Sequence, residues 1–189
     1  MAQVQLSNVR IAFMDSLFTP KSFEAGGTPR HGATFIIEPN SQNAKKLSKA
    51  MEDVAEEKWK KGAAKTLDEL KRKEKVAYGE RDKLSSAGEP YQGFEGNYFV
   101  TAYNKTRPTI VGKDKQPLIP SDGNPYGGCY VNAVIDIWAQ DGDFGKRINA
   151  TLLGVQFSAD GEAFGGGAPV SPDVFPDLSE SSDEDNEFV

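Results

Sequence analysis

Two segments of this chain alternate apolar and polar residues, and in each the alternation changes phase part-way. In residues 3–13, QVQLSNVRIAF, Val4 and Leu6 fall on one phase and Val9, Ile11 and Phe13 on the other, with the switch at Ser7-Asn8. A period of two predicts a strand, and one surplus residue inside it predicts a bulge or sharp bend of the kind small barrels need. The same signature returns late in the chain: Ile148, Ala150 and Leu152 give way to Leu153, Val155 and Phe157 around Gly154.

Between these bent strands the pattern yields three more. His31–Glu38 places Ala33, Phe35 and Ile37 opposite Thr34 and Ile36. Asn97–Tyr103 opposes Tyr98, Val100 and Ala102 to Phe99, Thr101 and Tyr103. A longer run lines Cys129, Val131, Ala133, Ile135 and Ile137 along one face, with Tyr130, Val134 and Trp138 on the other, and Asp141-Gly142-Asp143 follows as a hairpin turn. Asn40 or Ser41 caps a helix reaching about Lys61, with Leu47, Met51 and Val54 as its apolar stripe and Gly62 as its stop. Thr66-Leu67-Asp68-Glu69 has the form of a capping box and predicts the start of a shorter second helix. Over 42–83 this helical block carries 13 basic and 9 acidic residues, which reads as a solvated amphipathic face. Gly- and Pro-rich loops fill 14–32, 85–96 and 112–128, and Thr109–Val111 is a short strand extension.

Five strands, two of them bent, with a helical insertion at about 41–78, predict a mainly β protein built as a five-stranded OB-fold-like barrel; a β-sandwich is the alternative such a pattern also allows. The expected division is an OB-fold domain over 1–160 and a flexible Gly/Pro-rich acidic tail over 161–189. That tail follows from charge. Of the 28 Asp+Glu, nine lie after Arg147, where there is no Lys or Arg, so the first 147 residues carry 22 cations against 19 acids within a chain of net charge −6. Proline followed by acids cannot bury enough apolar surface to fold alone, yet the end, DEDNEFV, adds an aromatic to the charge. Asp183, Glu184, Asp185, Glu187 and Phe188 therefore read as a recognition peptide, steered by charge and anchored by a ring.

Chemistry is poorly supplied. His31 alone cannot build a catalytic triad or a His cluster, and Cys129 alone cannot form an internal disulfide or a Cys-based metal site. No GxxxxGK[ST] phosphate loop occurs, and Asp136 is isolated in its strand. The chain reads as a non-enzyme with no cofactor and no metal, and neither a signal peptide nor a membrane-spanning run is recognisable.

Binding is better supplied. Tyr98 to Arg107 interleaves rings with cations, and stacking rings beside phosphate-neutralising cations are what sequence-tolerant single-strand binding needs. The candidate contacts are Tyr103, Lys105, Arg107, Lys113 and Lys115, with loop aromatics Tyr91, Phe94 and Tyr126, and Lys21 and Arg30 from the first loop.

These segments resemble a known family. LSNVRIAFMDSLFTPK, HGATFIIEPN, YFVTAYNKTRPTIV and YGGCYVNAVIDIWAQDGDFGKRINATLLGVQF, in that order, with DEDNEFV at the end, are similar to the OB-fold single-stranded DNA-binding proteins of tailed bacteriophages. The resemblance implies non-sequence-specific binding of single-stranded DNA in phage DNA replication, recombination or repair, in the cytoplasm of the infected host. It also implies an acidic tail that recruits replication proteins such as a polymerase or helicase and competes with DNA for the basic groove. An OB barrel usually carries its helix between its third and fourth strands, whereas here the block falls between the second and third; either the strand count is off or the helix is an insertion of the family. The alternative is a phage structural or assembly protein without DNA affinity.

Overall fold

The computed structural model describes residues 1–165 and 174–178. Its strands are β1 (Ala2–Ala12), β2 (His31–Ile37), β3 (Tyr78–Gly79), β4 (Tyr98–Asn104), β5 (Thr109–Val111), β6 (Tyr130–Gly142) and β7 (Gly145–Ala159), with helices α1 (Gln42–Trp59) and α2 (Ala63–Arg72) between β2 and β3. Antiparallel pairing runs β4-β2-β1-β6-β7, and a parallel pair, Tyr103 with Thr151, joins β4 to β7 and closes five strands into a ring. That is the connectivity of an OB barrel. β3 and β5 only extend the edges of β4 and β7. The helical block does sit between the second and third strands of the ring, so the five-strand count stands and the block is an insertion.

Both phase switches are bulges. In β1 the register against β6 slips between Leu6 and Val9, and Asn8 takes the left-handed φ of +52°. The slip is what lets Val4, Leu6, Val9 and Ile11 all face the interior. In β7 the slip leaves Leu153 unpaired, so Leu152 and Val155 are both buried while Leu153 is only half-buried. A bent strand can belong to both halves of a small barrel without turning its apolar face outward.

The helices close one end of the barrel. Ser41 Oγ accepts from the Ala44 N–H at 3.1 Å, and Ala44, Leu47, Ala50, Met51, Val54 and Ala55 are buried, with α1 packed on β1 and β6. Asn43 reaches the β1 bulge and satisfies it in both directions: it accepts from the Ser7 N–H at 3.0 Å and donates to the Ser7 carbonyl at 2.9 Å. Because the N-cap oxygen replaces a hydrogen bond the helix cannot supply itself, Ser41→Ala should lower unfolding free energy by about 1 kcal/mol, read from a urea midpoint at unchanged slope.

The structure corrects three local expectations. The Thr66–Glu69 capping box is not used: α2 begins at Ala63, after a single 3₁₀ turn over Lys60–Gly62. Ala63, Leu67 and Leu70 are buried at helical spacing, so tertiary packing extends the helix past its local start signal. The hairpin loop is Asp143-Phe144, one pair later than expected, closed by Gly142 and Gly145, where Gly145 supplies a φ of +89°. Phe13 does not continue the inward phase of β1. The strand ends at Ala12, Phe13 takes a φ of +48°, and its ring turns out to solvent.

Residues 160–165, most of them assigned to the tail from sequence, lie back on the barrel. Tyr126 hydroxyl donates to Asp160 at 2.8 Å and accepts from the Gly161 N–H at 3.1 Å. Arg10 donates to the Glu162 carbonyl at 2.7 Å, and its guanidinium stacks 4.3 Å from the Phe164 ring.

Candidate nucleic-acid interface

Strand β2 is buried on both faces, although it carries one face toward the barrel core and one away from it. Register explains the outer side: Gly32 pairs with Tyr103, Thr34 with Thr101 and Ile36 with Phe99. The Ile36–Phe99 half is covered by the segment leading into β4. There Ala12, Ile36, Phe94 and Phe99 form a second small core with Phe164 packed against it. The Thr34–Thr101 half stays open as a cleft of about 360 Å³.

Three parts of the chain wall that cleft. The β1–β2 loop contributes Phe13, Asp15, Ser16, Lys21 and Phe23. The two strands contribute Ala33, Thr34, Thr101 and Tyr103, and the segment before β4 contributes Lys83 and Tyr91. The aromatic side chains are arranged as two edge-to-face pairs, Phe23 on Tyr103 with centroids 5.2 Å apart and Phe13 on Tyr91 at 4.9 Å. Thr34 and Thr101 hydroxyls share a hydrogen bond of 3.0 Å. Tyr103 lies across Gly32, where any Cβ would overlap its ring, so this glycine is a matter of space rather than of backbone freedom. Burial pushes the Tyr103 hydroxyl above the usual phenol range, an effect the charge of Arg30 opposes.

Not every residue picked out from sequence meets this cleft. Tyr103, Tyr91 and Lys21 line it. Arg30 is exposed beside Tyr103 and exchanges two backbone hydrogen bonds with Lys21 across the loop neck. Lys105 follows directly from the end of β4, exposed. Arg107 holds its guanidinium 5.6 Å from the Phe18 ring. Lys113 and Lys115 belong to the turn after β5; Lys113 lies over Phe157 at 5.8 Å, Lys115 takes a φ of +64°, and neither lines the cleft. One placement is a correction. Phe94 is 1% exposed, a footing for Phe13 and Tyr91 rather than a stacking surface. Tyr126 spends its hydroxyl on Asp160 and Gly161. Asp183, Glu184, Asp185, Glu187 and Phe188 lie outside the described residues.

Phe13, Phe23, Lys83, Thr34 and Thr101 were missed by sequence reasoning. The threonines share a face with Tyr103 by strand alternation and needed only the β2–β4 register. Phe13 was assigned inward by the same alternation, and its left-handed backbone reverses that. Phe23 and Lys83 sit in loops, where no periodicity marks direction.

Groups with catalytic potential are otherwise engaged. His31 is buried, with Nδ1 donating to the Leu17 carbonyl at 2.9 Å. Cys129 is fully buried, and that burial pushes its thiol above the ordinary range, toward the unreactive form. Among the described residues no group of three or more His, Cys, Asp or Glu is placed to hold a metal, and no helix is long and apolar enough to cross a membrane.

An OB barrel that opens a ring-lined, cation-rimmed cleft on the outer face of its second and third ring strands defines a ligand-binding protein of the OB class. Residues 2–189 match the model of the family described as Enterobacter phage Enc34, ssDNA-binding protein, and the chain belongs to that family. Among curated proteins it is 36% identical over 185 residues to "Putative protein p50" of Acyrthosiphon pisum secondary endosymbiont phage 1, covering 97% of each chain. The single-stranded DNA-binding protein of bacteriophage Enc34, solved in complex with ssDNA, superimposes with a TM-score of 0.69 at 29% identity, over 86% of this chain and 89% of that one. The single-stranded DNA binding protein gp2.5 of bacteriophage T7 shares the fold, with a TM-score of 0.56 at 11% identity over 100% of this chain and 98% of that one.

Proposed function

We propose that this protein binds single-stranded DNA without sequence preference and protects it during phage DNA replication, recombination or repair. The observation that carries the reading is the cleft, with its two aromatic pairs, its hydroxyl floor and cations at its mouth, in a family whose Enc34 member was solved with ssDNA. Unpaired bases stack on Tyr103 and Phe23 and on Phe13 and Tyr91, each worth about 1–3 kcal/mol and tolerant of sequence because every base has a π-face. The Thr101 hydroxyl, half-buried and bonded to the buried Thr34, donates or accepts by rotation, so it suits either edge chemistry. Lys21, Arg30, Lys105 and Arg107 neutralise phosphates, and Lys113 and Lys115 extend the track along β5.

On this reading the barrel with its segment to Gly165 is the binding domain and the remainder is the tail. Residues 172–189 hold seven acids, and their removal takes the net charge from −6 to +1. The tail competes with DNA for the cations and, once displaced, presents Phe188 and its neighbouring acids to a replication protein such as a polymerase or helicase.

Fluorescence anisotropy with a labelled single strand, run beside its duplex across salt, tests both claims. Tight binding that prefers the single strand is expected, with a log–log salt slope of about −0.7 per phosphate contact. A chain ending at residue 171 should bind more tightly at low salt; unchanged affinity removes the competition and leaves the binding. No binding at low salt, together with large homo-oligomers, would return the structural-protein reading.

A further inference from the structure

Among the described residues Lys83 is a cation without a carboxylate partner. Its side chain is half-buried in the cleft wall, with Nζ 4.8 Å from the Phe99 centroid and 5.5 Å from that of Phe13. The acids beside it in sequence are occupied: Glu80 pairs with Lys71 at 3.2 Å, and Asp82 accepts from the Gly96 N–H at 3.1 Å. Arg81, over the same Phe99 ring at 5.0 Å, has Glu74 at 3.3 Å. Ring faces hold an ammonium by their quadrupole without cancelling its charge, so Lys83 keeps its full attraction for an anion. Its position is set by backbone: the Lys83 carbonyl accepts from the Tyr91 N–H at 3.0 Å, which puts the cation beside a cleft aromatic.

We propose that Lys83 forms an anion subsite inside the cleft, taking one backbone phosphate of a bound single strand whose base lies against Phe13 and Tyr91. The proposal rests on the single-strand reading above and names a contact that reading does not contain. Burial, with Arg81 second, lowers the Lys83 ammonium below the ordinary lysine range. The free protein therefore carries this charge at a cost that a phosphate offsets. The other ionisable groups in the cleft are Asp15 and Lys21 from the β1–β2 loop, Tyr91 from the same segment as Lys83, and Tyr103 from β4, with Arg81 and Arg30 alongside.

The test compares the full chain with Lys83→Met, which keeps the stem packed on Phe13 and Phe99, and Lys83→Arg, which keeps the charge. Lys83→Met should bind a labelled single strand roughly tenfold more weakly at low salt, the worth of one charge-assisted hydrogen bond. Its salt slope should shrink by about 0.7. Because a depressed lysine makes the folded state bind fewer protons than the unfolded one, its penalty is present at low pH and relieved as pH rises; Lys83→Met should therefore melt at the same or a higher temperature near neutrality. Lys83→Arg should restore the slope, and the unmodified chain should lose affinity relative to it at a lower pH than an ordinary lysine would, because burial lowers the Lys83 ammonium. A Lys83→Met protein that melts normally and keeps the original slope overturns the subsite, whether or not its affinity has dropped. Failure of the unmodified chain to bind a single strand at all overturns the DNA reading itself.

Discussion

Tyr103→Ala should weaken single-strand binding by about tenfold or more, since a stacked base is worth about 1–3 kcal/mol and Tyr103 forms the strand-borne wall of the cleft. The ring is only half-buried, so the melting temperature should move little. Gly32→Val reaches the same end by a different route. Its side chain would occupy the space the Tyr103 ring now fills, forcing the ring off the strand. Anisotropy on both variants is the measurement. Comparable losses place the binding surface on the outer face of β2 and β4, and an unaffected Tyr103→Ala protein would move it elsewhere.

Phe35→Ala should cost about 3–5 kcal/mol of unfolding free energy. Phe35 is fully buried on the barrel side of β2, on the same strand as Thr34, whose hydroxyl faces the cleft. Against a typical domain stability of about 5–15 kcal/mol, that loss would be visible as a large drop in urea midpoint at unchanged slope. The fraction still folded should bind single strands as before, because the side chain faces inward. A fall in affinity among the folded molecules would show that core and cleft are coupled through β2. The pair Tyr103→Ala and Phe35→Ala thus separates one strand ladder into its binding face and its stability face.

Much of the barrel was legible in the residues. The phase switch at Ser7-Asn8 and the one near Gly154 became bulges at those places, and the inward sets Ala33-Phe35-Ile37 and Val131-Ala133-Ile135-Ile137 are buried as read. Strand alternation is local and has a fixed period, so it survives without knowledge of partners. The helical insertion was legible for the same reason, with Ser41 as its cap and Leu47, Met51 and Val54 inside. Where a local signal met tertiary packing, packing prevailed: α2 starts at Ala63 because Ala63 is buried there, whatever Thr66 and Glu69 prefer.

The cleft was legible only in part. Tyr103, Tyr91 and Lys21 were found because ring-and-cation composition is visible in a chain. Phe94 and Tyr126 carried the same composition and turned out to be a buried footing and a clasp for residues 160–161. Residue type and strand period by themselves determined the bent strands, an inserted amphipathic helix, an acidic end and a ring-and-cation composition suited to binding. Closure into a barrel rather than a sandwich was decided by the β4–β7 pair. Which rings line the cleft, and that Lys83 stands among them, was decided only when the β2–β4 register, the left-handed turn at Phe13 and the Lys83–Tyr91 backbone bond brought distant loops to one strand face. Period and propensity act over a few residues, whereas the direction of a loop side chain depends on contacts tens of residues away in sequence.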